Sequence, residues 1–327
     1  MKRRALVTGV TGQDGSYLCE LLLEQDYEVY GLIRRTSTTG TWRIDPFIDR
    51  LKLIPGDVTD LSSLVRAVKL VDPQEVYHFA SQSSVAHSFS VPLSTLDITG
   101  GGTVRLLDAL RQYAPHARFY HASSSEQFGN AQISPQTEET PFLPISPYGC
   151  AKVYAHTMAV TYRQAYKMFV CSGIAYNHES PRRGEEFVTR KITKAVAKIK
   201  VGVQSELRLG DTSARRDWSH AKDIVRGAWM MLQRDTPDDY VLASGETHSV
   251  QELVELAFNY ASLNHHQYVK IDPGLFRMTE IQQLQGLALK ATQLLGWRPT
   301  VTFSQLVQEM VKADLDAVEH HRTLEVR

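Results

Sequence analysis

The sequence predicts an α/β protein: a doubly wound parallel sheet followed by a smaller α/β lobe. Three observations carry that prediction. From the start to about residue 180, short β-branched runs alternate with longer amphipathic ones, the pattern of strands joined by crossover helices. The first run leads directly into a glycine-rich turn ahead of a helical pattern. After "NHESPRRG" the rhythm changes to mixed short strands and helices, with no flexible linker before them. The expected division is therefore 1–180 and 181–327, partly interleaved, with the two lobes sharing a cleft.

Taken in order, "RRALVTG", "YEVYGLI", "LKLIPGD", "EVYHFA", "ARFYHASS" and "FVCSGIAYN" read as strands, and "DGSYLCELLLEQ", "LSSLVRAVKLV" and "STLDITGGGTVRLLDALRQYA" as the helices between them. In the second half "VTRKITKAVAKIKVG", "HAKDIVRGAWMMLQRD" and "FSQLVQEMVKADLDAVEHH" are amphipathic at helical spacing. "HSVQELVELAF" opens with Ser249 and Glu252 at capping-box spacing.

Composition narrows the function classes. The 36 lysines and arginines balance 36 aspartates and glutamates, so no global field marks a nucleic-acid binder, and any anion site has to be local. The apolar run behind the basic tip of "MKRRALVTG" is too short for a signal peptide, and no stretch approaches a membrane span. Cys19, Cys150 and Cys171 lack metal-ligand spacing and suit reduced thiols in a cytoplasm. No nucleic-acid, membrane or metal partner is expected.

The glycine turn gives the first functional signal. In "TGVTGQDGSYL", Gly9, Gly12 and Gly15 stand between a strand and a helix, the setting of a Rossmann-type dinucleotide site in which a pyrophosphate meets a helix N-terminus. Thr11, Gln13 and Asp14 share that loop and count as cofactor contacts. At the end of the second strand, "LIRRTST" offers Arg34 and Arg35 where NAD would want an acidic residue. Their planar cations suit a 2′-phosphate, so NADP is expected; the alternative is two solvated loop arginines. Asp57, beside Val58, is placed to meet the adenine, and Phe79, Ala80, Ser81, Gln82 and Ser83 end a strand near the cofactor.

"SPYGCAK" sets Tyr148 and Lys152 four apart, one above the other on a helix face. Alone, that spacing marks a solvated face. Behind a dinucleotide cradle it reads as a general base, because an ammonium and a nicotinamide cation lower a phenol's pKa. "HASSSEQFG" adds Ser124 and Glu126 after the fifth strand, and a plain dehydrogenase would not need that carboxylate; its alternative role is a capping or salt-bridging one.

TGxxGxxG, a strand-end serine and YxxxK resemble the extended short-chain dehydrogenase/reductase superfamily. "TGQDGSYL", "RR" after the second strand, "SSSEQFG", "SPYGCAK", "NHESPRRG", "FVTRKI", "RRDWSHAKD" and "GWRPTVTF" make nearly the whole chain similar to GDP-mannose 4,6-dehydratases.

The resemblance implies a hydro-lyase that turns GDP-D-mannose into GDP-4-keto-6-deoxy-D-mannose. Tyr148 would take the 4-hydroxyl proton while hydride leaves C4 for NADP, with Ser124 on the 4-oxygen. Glu126 would take the C5 proton and help the C6 hydroxyl leave, and hydride would return at C6. Ser123 and Ser125 would close backbone groups at the strand end. His178 and Arg183 would join the cofactor contacts, Asn177 and Ser83 the sugar, and Val188 and Lys191 the GDP. Arg208, Arg216 and Arg277 supply cations for a diphosphate, with Glu280 for ribose or guanine. The chain departs from the family pattern in "FRMTEIQQLQGLALKA", which leaves a GDP-heptose or another GDP-hexose open. A GDP-4-keto-6-deoxymannose reductase or an epimerase would share the fold and the Tyr–Lys pair. The resemblance also implies a homotetramer in which "RRTSTTGTWRI" reaches a neighbouring subunit's cofactor.

Overall fold

Every strand expected in the first half forms, and α-helices follow β1, β3, β4 and β5. The structure, a computed structural model, describes residues 2–34, 40–276, 279, 281 and 283–325. β1 (Arg4–Thr8), α1 (Gln13–Glu24), β2 (Glu28–Ile33), β3 (Lys52–Pro55), α2 (Leu61–Val71) and β4 (Glu75–His78) come first. Two short helices, α3 (Val85–Ser88) and α4 (Pro92–Thr95), then lead through a π-helical turn into α5 (Gly102–Tyr113), β5 (Arg118–Ser124), α6 (Pro147–Tyr166) and β6 (Val170–Ala175).

Local chemistry fixes the helix starts. Asp60 caps α2 by accepting from the Ser62 and Ser63 N–H groups, and Leu64, Ala67, Val68 and Val71 then turn inward at helical spacing. Ser146 caps α6 through Gly149 N, with Pro147 at the first helical position.

The second half contributes β7 (Asn177–Glu179), α7 (Val188–Lys200), β8 (Leu207–Leu209), β9 (Arg215–His220), α8 (Ala221–Leu232), β10 (Asp239–Leu242), β11 (Thr247–Ser249), α9 (Val250–Tyr260), β12 (Val269–Ile271), β13 (Gln283–Leu284), α10 (Leu289–Leu295) and α11 (Phe303–Glu325). Ser249 caps α9 from Glu252 N at 3.0 Å, as its spacing predicts.

The large sheet runs β3-β2-β1-β4-β5-β6-β10 with every neighbouring pair parallel. Strand order reverses between β1 and β4, and a doubly wound sheet opens its crevice at that reversal, beyond the strand C-termini. The seventh strand comes from the second half of the chain, and Ile224, Val225 and Ala228 of α8 join Leu18, Cys19 and Leu22 of α1 in the core on one sheet face. The other face buries Leu6, Val76, Phe119 and Val170 under α2, α5 and α6. In the smaller lobe, α7, α9 and α11 enclose a separate core around Val196, Val254 and Val307. A buried Arg190–Asp314 pair at 2.6 Å ties α7 to α11.

Candidate active site

One cavity of about 860 Å³ begins at the glycine turn, passes the ends of β4, β5 and β6, and continues against α7 and β9. Its floor requires glycine at two places. Gly9 adopts a φ of 71°, and a Cβ on it would stand 2.8 Å from Ala80 N; a Cβ on Gly15 would stand 2.2 Å from Gly9 O. α1 starts from Gly12 with no side-chain cap, leaving the first N–H groups of the helix for an anion. Thr11, Gln13 and Asp14 line this end, with Asp57 and Val58 on one wall and residues 79–83 on the other. Arg34 lines the rim. Gln82 adds a buried Oε1 without a hydrogen-bond partner among the described residues. These features fit a dinucleotide with its pyrophosphate on α1.

Two of the expected cofactor contacts have a second occupation. Asp14 Oδ2 meets His178 Nε2 at 2.8 Å, while Gln13 donates to His178 O at 3.1 Å and accepts from Ser180 Oγ at 2.8 Å. Burial opposes charge on both Asp14 and His178. The contact between them prevails, so Asp14 is held below its ordinary pKa and His178 above. The cradle is thereby joined to β7.

Ser124, Glu126, Tyr148 and Lys152 all line the cavity. β5 ends at Ser124, whose Oγ receives Glu126 N at 3.2 Å as a tight turn begins. Ser124 faces Tyr148 and favours its phenolate form. Lys152 Nζ lies 5.7 Å from the Tyr148 ring centre and donates to Ala122 O at 2.7 Å. The lowered phenol pKa is expected from the ammonium together with a nicotinamide cation. Burial, with Glu126 adding to it, pushes Tyr148 up to about 12, and burial pulls Lys152 down to about 8.

On the opposite wall stand Asn177, His178, Arg183, Val188, Lys191 and Arg216. Arg216 donates to Ile281 O at 2.6 Å from the buried interior, and Arg183 pairs with Glu179 at 3.0 Å. Arg208 is a correction. Leu207 and Leu209 of β8 turn into the core, so Arg208 between them points outward, pairing with Glu206 at 2.6 Å and lying outside the cavity lining. Arg35, Arg277 and Glu280 lie outside the described residues.

Arg43 escaped the sequence reading. It donates to Arg182 O at 2.7 Å and to Thr11 O at 3.2 Å, bracing the cradle against the "SPRRG" segment. Its only signal was its place in the arginine loop after β2.

The family model described as GDP-mannose 4,6 dehydratase matches residues 6–310. The chain belongs to this family. GDP-mannose 4,6 dehydratase 1 of Arabidopsis thaliana is 48% identical over 99% of this chain and 92% of its own length, and GDP-mannose 4,6-dehydratase of Vibrio cholerae is 44% identical over 100% and 97%. Among solved structures, UDP-glucose 4-epimerase of Thermotoga maritima superposes with a TM-score of 0.86 at 23% identity, over 96% of this chain and 99% of that one. A dTDP-glucose 4,6-dehydratase of Streptomyces venezuelae with NAD bound gives 0.85 at 25%, over 97% and 98%. The dehydratase family thus shares its architecture with epimerases, and the residues within the cavity have to distinguish the reactions. Among the described residues no helix is long and apolar enough to cross a membrane.

Proposed function

We propose that the chain removes water from GDP-D-mannose to give GDP-4-keto-6-deoxy-D-mannose, a hydro-lyase reaction with NADP as a recycled cofactor. The single observation that carries this is Glu126, two residues beyond Ser124 and beside the Tyr148–Lys152 pair in the cavity that starts at the glycine turn. A phenol and an ammonium suffice for oxidation at a carbinol. Moving a proton from C5 and expelling the C6 hydroxyl needs one more acid–base group, and a carboxylate so placed meets that need. The names of the full-length relatives support the same substrate.

NADP held at the start of α1 would supply the redox chemistry, as acceptor of the C4 hydride and its donor to C6. Ser124 holds the 4-oxygen and Tyr148 takes its proton. Lys152 sets the charge beside Tyr148. Glu126 takes the proton from C5, acidified by the neighbouring ketone, and delivers it to the departing C6 oxygen; as hydride reaches C6, C5 regains a proton equivalent to the one Tyr148 took, so both residues end the turnover as they began it. Arg34, with Arg35, holds the 2′-phosphate. Asn177, Val188, Lys191 and Arg216 hold the sugar nucleotide, with Arg277 and Glu280 assigned to the same task. We place the dinucleotide on residues 1–180 and most of the sugar nucleotide on 181–327, in a cytoplasmic homotetramer.

The test is to incubate purified protein with GDP-mannose and follow the sugar nucleotide by mass spectrometry. Loss of one water with no net NADPH change is expected. NADPH consumption in step with turnover would assign the site to a reductase instead.

A further inference from the structure

One level of the large sheet is polar from β1 to its β10 edge. The register sets Thr8 of β1 beside His78 of β4, His78 beside His121 of β5, His121 beside Ser172 of β6, and Ser172 beside Asp239 of β10. Two positions earlier on the same face stand Leu6, Val76, Phe119 and Val170, all packed apolar core.

Both ends of the row are closed by protein groups. Thr8 Oγ1 lies 2.7 Å from His78 Nδ1, and His78 Nε2 lies 3.1 Å from Thr103 Oγ1. Asp239 holds Arg163 of α6 at 2.9 and 2.6 Å and accepts from Ser172 N at 3.1 Å. The middle is open. His121 is 1% exposed, and neither of its ring nitrogens nor Ser172 Oγ has a hydrogen-bond partner among the described residues. Buried polar atoms in that condition are where ordered water resides. The open stretch lies directly behind the cavity, because Lys152 donates to the carbonyl of Ala122, the residue after His121. One turn beyond Lys152 on α6, His156 bonds Ser123 Oγ at 3.0 Å and faces Asp239 Oδ2 at 3.9 Å.

We propose that His121 and Ser172 hold buried water behind Lys152, and that this water, with His156 and Asp239, passes protons between Lys152 and the β10 edge of the sheet. His121 is then a positioning residue for the lysine. Transfer along the row makes and breaks only N–H and O–H bonds and moves no electrons. The inference rests on the reading of Tyr148 and Lys152 as the proton-handling pair. The groups that face Lys152 are Tyr148 on its own helix, His78, His121 and Asp14.

A crystal structure tests the water, and the pH profile of kcat tests its use. An ordered water within hydrogen-bond reach of His121 and Ser172 Oγ is expected. His121→Phe should lower kcat about tenfold, move the Lys152-dependent alkaline limb roughly one unit toward acid and leave KM unchanged. His121→Gln, which both donates and accepts, should restore much of the rate, and Ser172→Ala should fall between. A dry interior overturns the proposal whatever the activity, as does a wild-type profile in the folded His121→Phe protein. Inactivity toward GDP-mannose with the water in place would defeat the assigned reaction and leave the hydration site standing.

Discussion

Tyr148 sits where the protein alone makes it a poor base, its phenol pushed up to about 12 by burial and by the Glu126 carboxylate. On the proposed reaction, the charge that brings its pKa toward neutral pH would arrive with the cofactor, so proton transfer would follow occupancy of the cradle. Tyr148→Phe should therefore lose about 10²- to 10⁴-fold in kcat while still binding GDP-mannose, as steady-state kinetics and a binding titration would show. Glu126→Gln keeps the shape of the side chain and removes the base. Fluorescence should then report reduced cofactor accumulating while mass spectrometry finds no water lost. Arg34→Ala removes one charge-assisted contact, worth about 1.5–3 kcal/mol, so calorimetry should find NADP weakened roughly 10- to 100-fold and NAD nearly unchanged. At this scale the residues with a local signal, in the glycine turn and at the Ser-Glu and Tyr-Lys spacings, are the ones that come together in one cavity. The charge of Arg208 suggests a diphosphate contact, but period-two alternation between the buried leucines of "LRL" sends it outward.

Among the elements, the joint between α1 and β7 is the one with a pH dependence. His178, held above its ordinary value of 6.5, contributes fully below that value and loses its contribution as pH rises through the folded pKa. Asp14, held below 3.8, contributes above that value and loses it as pH falls through the folded pKa. The pair thus strengthens the joint from mildly acidic to near-neutral pH. His178→Gln should cost about 3 kcal/mol in urea unfolding at pH 6, and less at pH 9. Strands β1 to β6 could be read from the sequence because each is a short apolar run bounded by turn residues. "DYVL" of β10 carries the same signal too briefly, and its partner β6 lies far back in the chain, so only long-range pairing reveals it. The Arg43 brace is hidden for the same reason, since its acceptors lie on segments distant in sequence.

For the whole molecule, the proposed reaction needs cofactor and sugar nucleotide side by side, and a single cavity runs from the glycine turn to α7 and β9. The proposed homotetramer predicts a single sedimenting species near four times the chain mass; a monomer at all concentrations would dismiss it. The seventh strand has a further consequence during synthesis. When β6 leaves the ribosome, its outer edge has no partner until β10 follows, a delay of seconds at about 5–20 residues per second. α8, which covers α1, emerges within the same interval. The nascent first half must wait with an open strand edge and an uncovered helix, so its yield in a cell depends on chaperone capacity and on how fast those residues are translated.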